Sequence, residues 1–231
     1  MKKTMAAALA ALVLTAGMHA ASFPEYLKMR GTMIIGCDKE NIPESLVIPD
    51  GVTEIGAMAF AQCESLEHVT IPKSVKRIGM EAFYGCDTLV DVTIPATVNK
   101  IGGKAFGNCV SLTSVTIPAS VREICQAAFR NCASLKEVAL PNSIEVIGFS
   151  AFTRCASLAS ITIPASVKEI GEAAFLDCPS LKDVRYRGTK DKWRNLKRGA
   201  FIFSLPAQSS SIAPTETFRQ FWTRREAGAV A

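Results

Sequence analysis

Aromatic residues are scarce in this sequence, at 7% of 231 positions, although 48% of its residues are hydrophobic. The apolar content is therefore mainly aliphatic and alanine, which suits a regular stacked core and excludes a disordered chain. Histidine occurs only as His19 and His68, and no Cys-x-x-Cys pair exists, so no tetrahedral metal set can be assembled from the pattern. A phosphate-cradling loop is also missing, because Gly102-Gly103-Lys104 lacks the spacing such a loop needs. The formal charge of +5 is mild, with Lys and Arg mixed among acids along most of the chain. That mixture argues against a nucleic-acid partner, which is usually met by a concentrated basic stripe. No apolar run after the N-terminus reaches the roughly 20 residues of a membrane span. Neither a catalytic residue, a metal nor a cofactor is expected from these absences.

The N-terminus reads as an export signal. Lys2 and Lys3 supply a positive start, Met5 to Ala16 is apolar apart from one Thr, and Gly17-Met18-His19-Ala20-Ala21 offers small residues for cleavage. Cleavage is expected after Ala20 or Ala21, with an uncleaved anchor as the competing reading. An exported protein follows, secreted or at the cell surface, with the periplasm as the alternative.

What is abundant is repetition. Pro49, Pro72, Pro95, Pro118, Pro141 and Pro164 are spaced 23 residues apart. Phe60, Phe83, Phe106, Phe129, Phe152 and Phe175 keep the same step, as do Leu66, Leu89, Leu112, Leu135, Leu158 and Leu181. So do Cys63, Cys86, Cys109, Cys132, Cys155 and Cys178. One unit reads Ile71-Pro72-x-x-Val75-x-x-Ile78-Gly79-x-x-Ala82-Phe83-x-x-Cys86-x-x-Leu89-x-x-Val92, and its x positions wander among polar residues. Constant apolar positions beside variable polar ones are expected when successive coils share one interior. A single coil cannot bury its own apolar face, so stacking supplies the missing wall.

Leu66-x-x-Val69-x-Ile71 fits a leucine-rich-repeat strand, with Thr70 outward and its neighbours inward. Pro72 has no amide donor and should end the ladder. Gly79 reads as a turn or bulge on the return path, and Ala82 as a point of close packing between coils. Cys125 stands where the other coils have Gly56, Gly79, Gly102, Gly148 and Gly171, which suggests that this glycine is preferred rather than required. The expected fold is a leucine-rich repeat solenoid: a right-handed stack of six to seven 23-residue coils with parallel strands and short irregular caps. It should be about 30 Å long at the usual strand spacing.

The unit I-P-x-x-V-x-x-I-G-x-x-A-F-x-x-C-x-x-L resembles the BspA-like, treponemal-type leucine-rich repeat family over about residues 42 to 187. Tyr186-Arg187-Gly188-Thr189-Lys190-Asp191-Lys192-Trp193 resembles the segment that closes many of its arrays. The resemblance implies a bacterial surface or secreted protein that adheres to host proteins or to other cells. The chain then divides into a signal peptide (1–20), an N-terminal cap (21–45), the repeat array (46–187), a C-terminal cap (188–203), and a linker and tail (204–231). Met33, Ile34 and Ile35 suit a cap strand, and Trp193 with Leu196 should cover the last coil. Ser209, Ser210 and Ser211 read as linker, and Phe218 to Arg225 as a short amphipathic helix.

Eight cysteines in an exported chain invite bridges. The six in register should instead form one inward column of free, structural thiols. A bridge needs Cβ atoms about 3.8 Å apart, and parallel coils hold them at about 4.8 Å. Cys37 and Cys125 lie outside the column, with about four coils between them. A Cys63–His68 nucleophile pair is conceivable within one coil, but the column thiols as a class have no histidine beside them.

Two surfaces remain as candidate binding sites. The first is the outward strand face of His68, Thr70, Asp91, Thr93, Ser114, Thr116, Glu137, Ser160, Thr162 and Arg185, with Ala139 and Asp183 in the same columns. A laterally extended face of this kind suits a protein ligand, from a host matrix or a bacterial surface, or a glycan. A threonine ladder also simply suits strand propensity. The second is the basic cap patch of Arg187, Lys190, Lys192, Arg194, Lys197 and Arg198, which could meet an acidic partner, a glycan or an anionic lipid surface. The plain alternative is a solvated cap. An adhesive binding module is the leading expectation, and a periplasmic scaffold without an adhesive role is the second.

Overall fold

The computed structural model describes residues 23–203, so the expected signal peptide and tail lie outside the described residues. The chain opens on a hairpin of β1 (Leu27–Arg30) and β2 (Met33–Cys37), whose two-residue turn begins at Gly31 with φ +60°. It then alternates a longer strand with a two-residue one: β3 (Ser45–Val47), β4 (Glu54–Ile55), β5 (His68–Thr70), β6 (Arg77–Ile78), β7 (Asp91–Thr93) and β8 (Lys100–Ile101). The alternation continues through β9 (Ser114–Thr116), β10 (Glu123–Ile124), β11 (Glu137–Ala139), β12 (Val146–Ile147), β13 (Ser160–Ile163), β14 (Glu169–Ile170) and β15 (Asp183–Tyr186). A short helix α1 (Lys190–Asn195) and β16 (Lys197–Arg198) close the array. The result is a solenoid of about seven coils, with equivalent residues of successive coils paired in parallel.

Each coil has three sides around one core. The longer strand buries Val69 and Ile71 and exposes Thr70, as alternation requires. At the corner the amide of Val75 donates to the carbonyl of Pro72 at 3.1 Å, a tight turn that starts the return path. The short strand buries Ile78, and an arc of turns then carries Ala82, Phe83, Cys86 and Leu89 inward. The six repeat phenylalanines form one stack, with ring centroids 5.1–5.5 Å apart and planes within 9° of parallel. Phe203 adds a seventh ring at 5.3 Å, although it lies 28 rather than 23 residues after Phe175.

The arc solves a hydrogen-bonding problem. The amides of Met58, Phe60 and Gln62 donate to Met80, Ala82 and Tyr84 of the next coil, at 2.9, 2.8 and 2.7 Å. Those of Ala59, Ala61 and Cys63 turn back to Gly56, Met58 and Phe60 within their own coil. Two residues per arc adopt left-handed backbone to make this alternation, Met58 at φ +56° and Gln62 at +59° in the first. Each such non-glycine residue costs about 1–2 kcal/mol. The inter-coil bonds offset that cost, because an orphaned buried amide is expensive.

The repeat glycine is not one of the left-handed residues, so the reading of Gly79 as a turn gives way to a closer fit. A Cβ on Gly79 would sit 2.6 Å from the backbone carbon of Gly56, and one on Gly102 would sit 2.5 Å from that of Gly79. The site excludes a side chain because two backbones touch there. Cys125 breaks this rule, and one of the three partings in the strand ladders falls at its coil. The short-strand ladder runs without interruption from β1 to β8 and again from β10 to β16, and it parts between β8 and β10, where Cys125 would meet Gly102. Gly102 and Gly148 donate their amides down the ladder at 2.9 and 2.8 Å, while no ladder bond joins the Cys125 strand to the coil before it. Replacing Cys125 by glycine should restore that bond and raise stability by about 1–2 kcal/mol, measured as a shift in the denaturation midpoint. A loss of stability would refute the account.

The caps are more regular than the sequence suggests. Strand β2 joins the short-strand ladder, with Met33 opposite Glu54 and Ile34 opposite Ile55. At the far end β16 joins the same ladder through Glu169–Lys197, and Thr189 caps α1 by accepting from the Lys192 amide at 3.2 Å. Trp193 is buried there against Tyr186, with centroids 5.1 Å apart.

Candidate binding face

The seven longer strands lay their outward side chains in two parallel columns. Register places Ser45, His68 and Asp91 side by side, and Val47, Thr70 and Thr93 beside them. Ser114 pairs with Glu137, Thr116 with Ala139, Ser160 with Asp183, and Thr162 with Arg185. These strands form three hydrogen-bonded groups, β3-β5-β7, β9-β11 and β13-β15, whose facing edges remain in contact, so the ten strand-face residues singled out from the sequence share one surface. Eight of them are exposed, and Asp91 and Thr162 are half-buried. Between the columns the inward residues Val69, Val92, Val115, Val138 and Ile161 are buried, which fixes the outward orientation of their neighbours.

Charge on this face is arranged by position. At the N-terminal end His68 Nδ1 lies 2.6 Å from Asp91 Oδ2, and its Nε2 lies 4.0 Å from Glu67. At the C-terminal end Arg185 grips Asp183 on its own strand at 2.5 Å. Between them Thr93, Ser114 and Thr116 are exposed neutral hydroxyls, bordered by the exposed Glu137 carboxylate opposite Ser114. Such hydroxyls can donate to or accept from a ligand without a charge having to be desolvated.

The opposite face differs. The short-strand side is laced with ion pairs between coils: Arg77 with Glu54, Arg122 with Glu145 at 2.9 Å, Lys168 with Glu145 at 2.6 Å, and Lys197 with Glu169 at 3.0 Å. Lys104 and Glu81 add another pair at 2.9 Å, at the start of the arc. The Lys168 hydrogen bond, more than Arg122, holds the Glu145 carboxyl below the usual carboxylate range. Exposed pairs of this kind contribute about 0–1 kcal/mol each. Their significance here is that much of the charge on this face is already paired. Sequence reading missed this ladder, because two-residue strands leave no alternation to detect.

The basic cap patch divides in a similar way. Arg194 pairs with Asp191 at 3.2 Å, Lys197 with Glu169, and Arg198 lies 5.0 Å over the Trp193 ring. Those three help to fasten the cap. Arg187, Lys190 and Lys192 are exposed beside them.

The cysteine column points inward, and its thiols do more than fill space. Cys86, Cys109, Cys132, Cys155 and Cys178 each donate to the phenylalanine carbonyl of the preceding coil, at 3.0–3.2 Å. Burial pushes the thiol up to about 12 at Cys86 and about 11 at Cys178, so the nucleophilic thiolate is disfavoured. Cys63 is fully buried, while His68 is exposed and engaged by Asp91, so the two do not form a nucleophile–base arrangement. Among the described residues no group of three or more His, Cys, Asp or Glu is placed to hold a metal ion, and no helix is long and apolar enough to cross a membrane.

With this geometry in place, comparison with known proteins is informative. The profile of the BspA type leucine-rich repeat region, in six copies, matches residues 38–118 and 99–217. The crystal structure of a T. pallidum leucine-rich repeat protein superposes with a TM-score of 0.71 at 30% identity, over 90% of this chain and 95% of that one. A leucine-rich repeat protein from Bacteroides ovatus is 36% identical with a TM-score of 0.63, over 69% of this chain and 40% of its own length. A leucine rich cell surface protein from Faecalibacterium prausnitzii is 28% identical with a TM-score of 0.51, over 71% of this chain and 38% of its own. No functionally curated protein matches the sequence. Leucine-rich repeat arrays of this kind are protein-interaction modules. The repeated coil, the family match along most of the chain and the superposition over 90% of it make this chain a member of the BspA-type leucine-rich repeat family.

Proposed function

We propose that this protein is an exported, non-enzymatic binding module that engages a protein ligand through its longer-strand face, at the bacterial surface or in the extracellular space. The observation that carries this reading is the contrast between the two faces. The short-strand side is occupied by its own ion pairs, whereas Thr93, Ser114 and Thr116 leave a stripe of exposed hydroxyls in the middle of the strand side. An extended face of this sort matches the way solenoids bind. The apolar N-terminus after Lys2 and Lys3 favours export, and the F. prausnitzii neighbour is described as a cell surface protein. The basic cap residues Arg187, Lys190 and Lys192 would serve as a secondary contact for an acidic protein or a glycan.

The test is retention of the purified chain on a panel of extracellular-matrix and bacterial outer-surface proteins, combined with fractionation of the native host. Thr93→Lys together with Thr116→Glu should reduce retention at least tenfold and leave the melting midpoint nearly unchanged, because both side chains are exposed. Unaltered retention by the double variant would move the site off this face. Recovery solely from the periplasm with no retained ligand would replace adhesion with the scaffold reading.

A further inference from the structure

The cysteine column has an anomalous first member. Every later thiol donates to the carbonyl found 26 residues before it, Cys86 to Phe60, Cys109 to Phe83 and so on up the stack. Twenty-six residues before Cys63 stands Cys37, in cap strand β2, and the Cys63 sulfur lies 3.1 Å from the Cys37 sulfur. The cap supplies a second thiol where the repeat would supply a carbonyl. Cys37, which the sequence places outside the column, is in fact its head. Among the described residues this is where two sulfurs meet; elsewhere in the column the thiols are aimed at oxygen.

We propose that Cys37 and Cys63 are a disulfide-forming pair that locks the N-terminal cap covalently to the first full coil. The two sulfurs need approach by only about 1 Å to reach the bonded separation of about 2.05 Å. That movement falls on a hairpin at the end of the array, where one side is free of neighbouring coils. The oxidant is a small disulfide, R–S–S–R. Cys37 as thiolate attacks one of its sulfurs, the S–S bond breaks, and R–S⁻ leaves and takes up a proton. Cys63 then gives up its proton and attacks the Cys37 sulfur of the mixed disulfide, expelling the second R–SH. Two thiols and one R–S–S–R thus become one bridge and two R–SH. The order of attack follows from the site. Cys37 retains 8% exposure, whereas Cys63 is fully buried. The Cys63 thiol, with help from Lys39 and Lys28, lowers the Cys37 thiol from its usual range, and the same contact with burial raises that of Cys63. The bridge would close residues 37–63 into a loop and resist fraying at an array end, where repeat proteins open most readily.

The test uses the full chain, equilibrated with graded ratios of oxidised and reduced glutathione, then denatured and alkylated. Six alkylated cysteines of the eight are expected on the oxidised side, with tryptic peptides 31–39 and 40–73 joined. The melting midpoint should rise by about 5–10 °C in the same samples. Cys37→Ser should abolish both changes while still folding, because a serine oxygen can accept from Cys63. Cys125→Ser should retain both. Eight alkylated cysteines at every ratio, or a bridge joining any other pair, would overturn the proposal. Because this measurement is independent of ligand binding and of cellular location, it stands or falls separately from the adhesive reading.

Discussion

Truncating Phe129 to alanine should lower the stability of the array by about 3–5 kcal/mol, the usual cost of emptying a buried aromatic site. Phe129 is fully buried and sits between Phe106 and Phe152, each 5.5 Å away. The ring is stacked on both sides, so its loss removes two aromatic contacts as well as its own burial; each such contact adds about 0.5–1.5 kcal/mol. Phe203→Ala should cost less, since that ring is half-buried whereas Phe129 is fully buried. A solenoid is held together by neighbour interfaces, so a lesion at its middle should also divide one unfolding transition into two. Calorimetry or denaturant titration of the two variants checks this. Equal destabilisation at both positions would show that depth of burial does not set the cost.

The second large effect is expected at a residue with no side chain. Gly79→Ala should cost about 2–4 kcal/mol, from overpacking and from a weakened ladder bond. The added carbon would lie 2.6 Å from the Gly56 carbonyl carbon and 2.7 Å from the Ala57 nitrogen, and neither can rotate away as a side chain could. The coil would have to lift, stretching the 2.7 Å bond from the Gly79 amide to the Ile55 carbonyl. Faster hydrogen exchange at that amide, together with a lower melting midpoint, is the expected signature. The parting of the ladder at Cys125 suggests that the array survives one such break, so the variant should fold and be measurable. A change below about 0.5 kcal/mol would mean that the backbones are not in firm contact.

These two residues also show what the sequence could and could not reveal. The coil was legible because Phe, Cys, Leu and Pro recur at one interval, and only a shared interior explains four such columns in register. The longer strand was legible from the alternation Val69, Thr70, Ile71, and with it the candidate face. The role of Gly79 was not legible, because glycine serves both positive φ and close approach, and the sequence does not distinguish them. The first positive-φ position of each arc is held by Met58, Glu81, Lys104, Ala127, Ser150 and Ala173, none of which advertises that backbone, whereas Gly85, Asn108, Asn131 and Asp177 at the second position do. Phe203 and Cys37 escaped notice for a simpler reason: caps obey spatial stacking rather than the 23-residue count, and their offsets of 28 and 26 residues hide the match. The strand face could be outlined from sequence, but its division into paired ends and a hydroxyl-bearing middle depended on which side chains reach each other, as with His68 and Asp91.

The caps carry one more implication. A stack of parallel strands is in principle endless, since each open edge is a template for another chain. Here the outer strand at one end presents Lys28 and Arg30, and the closing strands at the other present Arg185, Lys197 and Arg198. At the far end Arg185 and Lys197 are already paired with Asp183 and Glu169, so it is Lys28 and Arg30 that place charge on an outer strand, a device that disfavours strand addition there. Charged outer strands of this kind would disfavour fibre growth, and replacing Lys28 and Arg30 by neutral residues is the change expected to promote it.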